Sequence, residues 1–227
     1  MILLDAKEFP QGGSAWLKAR LGIPTGSNFE KILTPATRKP STQAHGYMRT
    51  LLAEWLIGEP SDSGSSGFMD RGTMLEPLAR KWYAYDRGVG VQEIGLVLRD
   101  DRMAGASPDG LVEQDGTLEI KCPAAATHVG YLLDGLPQSY FAQMQGALWL
   151  TGREWCDLLS FHPEPDRIPP VVKRFPRDEQ YIAALDAAVS TFVEVMLRQR
   201  EVLIELGCVP ATRMLIPANM AKDPTPF

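Results

Sequence analysis

Residues 110–122 constrain the fold more than any other segment of the chain. Two short apolar runs flank Asp115-Gly116, a dipeptide that favours the positive φ of tight turns, so the segment reads as a β-hairpin. In its second half Leu118 and Ile120 alternate with Glu119 and Lys121, the period-two pattern of a strand with one face in a core. An acid and a lysine therefore share the other face. The turn length decides what joins them. A two-residue Asp115-Gly116 turn pairs 109 with 122 and directs Asp109 away from Glu119. A three-residue loop, Gln114-Asp115-Gly116 with Gly116 left-handed, pairs 109 with 121 and 111 with 119. This second register brings Asp109, Glu119 and Lys121 to one face, where carboxylates about 7–8 Å apart at the backbone can share a divalent ion.

A hairpin with one apolar face has to be covered, and the flanking sequence supplies helices for this. Residues 14–34 read as a helix (Ala15, Trp16, Ala19, Arg20), a turn over 22–26, and a second helix from Ser27 through Leu33. Residues 43–57, 73–87 and 138–150 carry helical patterns. Residues 178–206 form a long amphipathic helix through Ile182, Leu185, Val189, Phe192, Val193 and Met196. Further strands are predicted at 91–98, 155–161 and 171–175. Trp55, Trp82, Tyr83, Tyr85 and Trp149 lie within helical patterns and are assigned to the core. The expected fold is α/β (α+β), with a small central mixed β-sheet flanked by helices. It forms a single domain over 1–227, with 208–227 a Pro-rich tail. Residues 61–67, all Ser, Asp and Gly, have the composition of a mobile loop.

Hydrophobic residues make up 44% and charged residues 22% of the chain, which excludes disordered and fibrous classes. The three cysteines, Cys122, Cys156 and Cys208, have no C-x-x-C spacing, which argues against a disulfide framework and against a zinc or iron–sulfur site. The N-terminal apolar run is too short for a signal-peptide core, and no apolar stretch approaches membrane-span length. The expectation is a cytoplasmic protein without a membrane partner. A net charge of −5 argues against a generic nucleic-acid coat. Its distribution says more: residues 1–50 carry +4 and residues 51–120 carry −7. That pattern fits a site holding phosphate at one end and cations at the other.

An acidic-x-Lys tripeptide alone carries little, since Asp5-Ala6-Lys7 is another and a solvent-facing ion pair explains Glu119 and Lys121 equally well. The ordered set is more specific. It runs Ser107-Pro108-Asp109-Gly110, Leu118-Glu119-Ile120-Lys121-Cys122-Pro123 and Tyr140-Phe141-Ala142-Gln143-Met144-Gln145, preceded by Trp16 through Ser27 and Arg71-Gly72-Thr73-Met74-Leu75-Glu76. Over residues 14–152 the chain resembles the lambda exonuclease family, the YqaJ-like phage-type recombination nucleases of the PD-(D/E)xK superfamily.

The resemblance implies a restriction-endonuclease-like core and two Mg2+ ions, with Mn2+ as a substitute. Asp109, Glu119 and the Ile120 carbonyl take the place of metal ligands, with Glu76 assisting the second ion. Lys121 takes the place of the group that orients the attacking water, and Gln143 matches a glutamine near the active site. Arg20 and Ser27 fall where the family holds a 5′ phosphate, and Met69 where it places an apolar wedge that splits terminal base pairs. Local readings stand beside these. Thr73-x-x-Glu76 followed by Pro77 is a capping-box pattern, and so is Ser27-x-x-Glu30. A capped helix start at Ser27 is itself an anion site. Gln143 fits a solvated helix face, and Met69 fits a core. His45, His128 and His162 share no spacing and receive no role.

The implied activity is 5′-to-3′ digestion of one strand of duplex DNA to mononucleotides, leaving a 3′ single strand for recombination by annealing. A homotrimeric ring and a single-strand annealing protein partner are implied with it. Enclosure by a ring reconciles an acidic chain with a DNA substrate. The rival readings are a structure-specific or restriction-type endonuclease and a non-catalytic DNA-end-binding scaffold.

Overall fold

Residues 1–61 and 67–211 are described by the structure, a computed structural model, with the backbone alone at 67–71 and 73. In chain order the elements are β1 (Ile2–Asp5), α1 (Ser14–Arg20), a 3₁₀ turn (Gly26–Lys31), β2 (Leu33–Thr34), β3 (Lys39–Pro40), α2 (Ala44–Ile57), α3 (Gly67–Arg87), β4 (Val91–Gln92), β5 (Ile94–Leu98), β6 (Gly105–Ala106), β7 (Gly110–Val112), β8 (Gly116–Lys121), α4 (Ala125–Asp134), a short 3₁₀ turn (Gln138–Tyr140), α5 (Phe141–Thr151), β9 (Trp155–Ser160), β10 (Val171–Pro176) and α6 (Glu179–Glu205).

A five-stranded sheet in the order β10-β9-β8-β7-β4 forms the centre, with β8 and β9 parallel and the other neighbours antiparallel. It is mixed because the β8–β9 connection crosses over through α4 and α5, as parallel neighbours require. The two faces of β8 are both covered. Leu118 and Ile120 pack under Ala79 and Tyr83 of α3, while α5 closes the other side through Met144 and Leu148 against Leu158 of β9. β8 is therefore buried throughout except at Lys121, not half-buried as the alternation suggested.

A second sheet, β1-β5-β6, lies beside the first. The predicted 91–98 strand is two strands that serve different sheets. Val91 and Gln92 pair with Leu111 and Val112 at the edge of the central sheet. Ile94–Leu98 turns away to pair with β1. The break falls at Glu93, whose carboxylate meets Arg80, and at Gly95, where any Cβ would collide with the Phe9 backbone.

The hairpin has the expected three-residue loop, but the loop is Glu113-Gln114-Asp115, since Gly116 pairs with Val112 and Leu118 with Gly110. The pairing is shifted by two residues from the sequence reading, and Asp109, just before β7, donates from its backbone N to Leu118 O instead of pairing with Lys121. Gly116 is needed for packing, because a Cβ there would overlap the Trp155 ring. Glu113 takes the left-handed position instead (φ 45°). Its carboxylate accepts from Gly90 N, and Arg153 Nη1 donates to the carbonyls of Val112, Glu113 and Gly116.

Several local readings are corrected. α3 begins at Gly67, so Thr73 and Glu76 do not form a capping box and Pro77 sits inside the helix. Ser27 lies within a 3₁₀ turn that starts at Gly26, capped by no side chain, and it is exposed. Tyr85 is 90% exposed and not in the core, whereas Tyr83 is buried. α6 is long and apolar enough to cross a membrane by length and composition. Its apolar side, from Tyr181 through Leu185, Val189 and Phe192 to Met196, is buried in the protein core. Asp178 caps it by accepting from Tyr181 N. Of the predicted tail, Ala211 N donates to Leu56 O, and 212–227 lie outside the described residues, as do 62–66 of the predicted loop.

Candidate active site

Four segments meet at one cavity of about 460 Å3. The β7–β8 hairpin contributes Asp109, Glu119, Ile120 and Lys121, α3 contributes Glu76, α5 contributes Gln143, and the α1–3₁₀ corner contributes Arg20, Thr25 and Ser27. The corner reaches the hairpin because residues 24–26 pack on β6. Gly105 N donates to Pro24 O, Thr25 bridges to Gly105, and a Cβ on Gly26 would press against Ala106. Trp16 secures the join by donating from Nε1 to the Gly95 carbonyl (3.0 Å) and Ser107 Oγ (2.9 Å). Gln11 does the same with the carbonyls of Ile94 and Pro108. Sequence reasoning therefore brought together residues that the structure places together. Met69 lies in the first turn of α3, and its side chain is outside the described ones.

The carboxylates are in an unfavourable setting for charge. Asp109 is 8% and Glu119 2% exposed, which rules out the solvent-facing ion pair. Asp109 stands immediately before β7, where its backbone N donates to the carbonyl of Leu118, the partner of Gly110 (2.9 Å). Burial, then the neighbouring Glu119 and Glu76, push the Asp109 carboxyl well above its ordinary range, and the Lys121 charge and the Ile120 N–H oppose this only in part. The Ile120 N–H donates directly to Asp109 Oδ2. Glu76 is also raised, first by burial and then by Glu119 and Glu93, with Arg80 pulling the other way.

Lys121 Nζ lies 2.6 Å from Glu119 Oε1 and 4.8 Å from the centre of the Tyr140 ring. Burial works against its charge, but Glu119 and Asp109 outweigh it and hold the ammonium protonated. Gln143 Nε2 donates to the same Glu119 oxygen, so this glutamine is turned into the site and not solvated.

Sequence reasoning missed Arg80. Its Nε donates to the Asp109 carbonyl (2.7 Å), its Nη2 to Glu76 (2.8 Å) and its Nη1 to Glu93 (3.0 Å). One planar fork thus ties α3 to the loop before β7. An i to i+4 pair with Glu76 was visible in the sequence. The other two acceptors were not.

The Arg20 guanidinium carbon lies over Trp16, 3.9 Å from the ring centre, and the group donates to Thr25 Oγ1 (2.9 Å). Thr25 N in turn donates to the Tyr47 hydroxyl (3.1 Å). Among the described residues the guanidinium commits one of its five donors, to Thr25, and its planar fork is suited to phosphate.

The donor chemistry fits a small divalent cation: three carboxylates and a strand backbone, all hard oxygen donors, with no soft ligand among them. Their mutual repulsion is what a cation between them would relieve. Among the described residues, no three His, Cys, Asp or Glu side chains stand in ligating array. Glu119 is engaged by Lys121 and Gln143, and Glu76 by Arg80.

Residues 15–154 match the YqaJ-like viral recombinase domain. The chain belongs to that family. Among solved structures it is similar to the alkaline exonuclease LHK-Exo of Laribacter hongkongensis, at 35% identity and a TM-score of 0.77, over 86% of this chain and 98% of that one. The same relative has been solved in complex with dAMP. A phage-related exonuclease of Haemophilus somnus shares the fold at 17% identity and a TM-score of 0.64, over 81% of this chain and 96% of that one. No curated protein matches the chain. The family match spans the hairpin, Glu76, Gln143 and the Arg20–Ser27 corner together, so the lambda exonuclease resemblance and the PD-(D/E)xK-like fold hold.

Proposed function

We propose that this chain is a Mg2+-dependent exonuclease that digests one strand of linear duplex DNA from a 5′-phosphorylated end. It releases mononucleotides and leaves a 3′ single strand for annealing. One observation carries the reading: a fixed guanidinium and a set of buried carboxylates with a charged lysine line the same cavity. A terminal phosphate held at Arg20 and Ser27 lies within reach of the hairpin, which fits removal of nucleotides from an end. That the relative LHK-Exo binds dAMP supports a mononucleotide product.

Asp109, Glu119, Glu76 and the Ile120 carbonyl are the groups that would hold the ions. Bound there, divalent cations lower the pKa of water and stabilise charge on the scissile phosphate. The chain's own residues set the geometry. Glu119 and Tyr140 hold the Lys121 ammonium at the cavity wall, where it orients the attacking water. Gln143 fixes the Glu119 carboxylate, and Arg80 keeps Glu76 in place. Arg20 orients the strand end through its planar fork, and Met69, at the start of α3, is assigned the wedge that parts the terminal base pairs.

A single domain, a cytoplasmic setting, a homotrimeric ring and a single-strand annealing protein partner belong to the same proposal. The test is digestion of linear duplexes bearing a 5′ phosphate or a 5′ hydroxyl, with and without Mg2+. Wild type is expected to prefer the phosphate, Asp109→Ala to be inactive, and Arg20→Ala to lose the preference. Cleavage of covalently closed circular DNA would favour an endonuclease instead, and gel filtration showing only monomers would remove the ring.

A further inference from the structure

A second cavity, about 730 Å3, lies on the far side of Arg20. It runs between α1, the Gly26–Lys31 turn and α2, and shares Trp16, Arg20, Thr25 and Ser27 with the catalytic cavity. Arg20 is thus a partition with carboxylates on one side and a different chemistry on the other. The far side carries Lys31, whose ammonium stands 5.5 Å from the Tyr47 ring centre, together with Asn28 and Gln43. Glu54, the one carboxylate among the described lining residues, already accepts from the backbone N–H groups of Gly22 and Ser61. With Arg20 counted, the lining among the described residues holds two cations to one acid, on a chain whose net charge is −5.

We infer that this second cavity is a subsite for a single-stranded extension of the 5′-terminated strand. In it Arg20 reads either a terminal phosphate or the phosphodiester from which one or two unpaired nucleotides continue towards Lys31. The inference rests on the proposed nuclease reading for what happens on the near side of Arg20. The chemistry of the far side stands independently: cations along a polar wall follow a nucleic-acid backbone whatever its sequence. The volume lies within the range of small-ligand pockets. A blunt end would stop at Arg20, and a 5′ overhang would pass it.

Gly46 allows a direct test. It lies on α2 in the lining of this cavity, and a Cβ there meets no atom within 4 Å, so Gly46→Phe adds bulk at the cavity wall with no clash at its first carbon. Binding is measured by fluorescence anisotropy in a chelator, with full-length protein and duplexes that are blunt or carry a two-nucleotide 5′ overhang. Digestion of the same duplexes in Mg2+ is followed in parallel. Gly46→Phe and Lys31→Glu are each expected to weaken overhang binding at least about fivefold, on the order of the loss of one cation–phosphate contact, and to leave blunt-end binding within twofold. Equal losses on both substrates, or none on either, would overturn the subsite. Selective loss of overhang binding by a protein that digests neither substrate would keep the subsite and sink the nuclease reading.

Discussion

Replacing Arg80 by Met removes three donors while keeping most of the side chain's volume, and its effect can be worked out from the contacts. The guanidinium is 11% exposed, Glu76 24% and Glu93 53%. Hydrogen bonds to or from charged groups contribute about 1.5–3 kcal/mol each when shielded from water. That applies to the Asp109 carbonyl and, slightly reduced, to Glu76. The bond to Glu93 is screened by solvent and adds little. The expected loss is roughly 3–4 kcal/mol, or a fall in Tm on the order of 10 °C for a chain of this size. Part of that loss is a penalty and not a missing attraction, because Glu76 is left beside Glu119 and Glu93 with its counter-charge gone. Glu76→Gln relieves that penalty. The Arg80→Met/Glu76→Gln double variant should therefore lose less than the two single losses combined, by about 1–2 kcal/mol. Thermal melts of the four proteins in a chelator measure this. Additivity within about 0.5 kcal/mol would show that Arg80 does not act through Glu76. Arg80→Lys keeps the charge but not the fork, and should fall between wild type and Arg80→Met.

Three further outcomes follow from the same contacts. Asp109→Asn should abolish metal-dependent cleavage and yet raise stability in a chelator. The Asp109 carboxyl is raised by burial and by its acidic neighbours, so the native state binds the proton more tightly, and stability present below about pH 4 is lost as pH rises through the folded value. A flat pH dependence of wild-type melts on that limb, unchanged by Asp109→Asn, would contradict this. Tyr47 is pushed up to about 12, chiefly by burial, so a contribution of roughly 2–3 kcal/mol should disappear between pH 10 and 12, and Tyr47→Phe should melt with a shallower alkaline limb than wild type. Gly116→Ala should cost about 1–3 kcal/mol through overlap with Trp155, whereas Gly130→Ala, in α4 with open space around it, should be neutral or stabilising by up to about 1 kcal/mol. A Gly116→Ala melt at the wild-type temperature would show that the close approach to Trp155 is not needed.

Much of the fold was legible because its signals are local. The spacing of Ile182, Leu185, Val189 and Phe192 specified α6, and Asp115-Gly116 specified a turn. What stayed hidden depends on partners distant in the chain. The hairpin's loop length was readable, but its register depends on whether Gly116 is the left-handed residue or the one that Trp155 covers, and Trp155 lies 39 residues on. Thr73-x-x-Glu76-Pro77 has the form of a helix start, and nothing local shows that α3 has already run from Gly67. The single apolar run at 91–98 divides between two sheets because Glu93 is held by Arg80 and Gly95 by Phe9.

The same contrast applies to the site. Composition alone gave Glu119 and Lys121 no more than a surface ion pair. Their ordered company in the sequence pointed to a nuclease, and the structure adds the physical reason the pair is more than a surface feature. Glu119 sits on a strand covered on both faces, in the field of a second buried acid, Asp109, and of a third, Glu76. A sheet selected for stability alone would not place Asp109 there, since the repulsion raises its pKa and burying the charge is costly. The arrangement persists because rigid neighbours determine it. Arg80 grips the Asp109 carbonyl, the Ile120 N–H grips its carboxylate, and Arg153 locks the loop that sets the register. These three restraints come from α3, β8 and the α5–β9 connection, so the acids cannot separate without breaking contacts to all three. Carboxylates held together against their own repulsion are preorganised for a cation, and the covered strand β8 together with the grips on Asp109 at the head of β7 keeps them from relaxing apart.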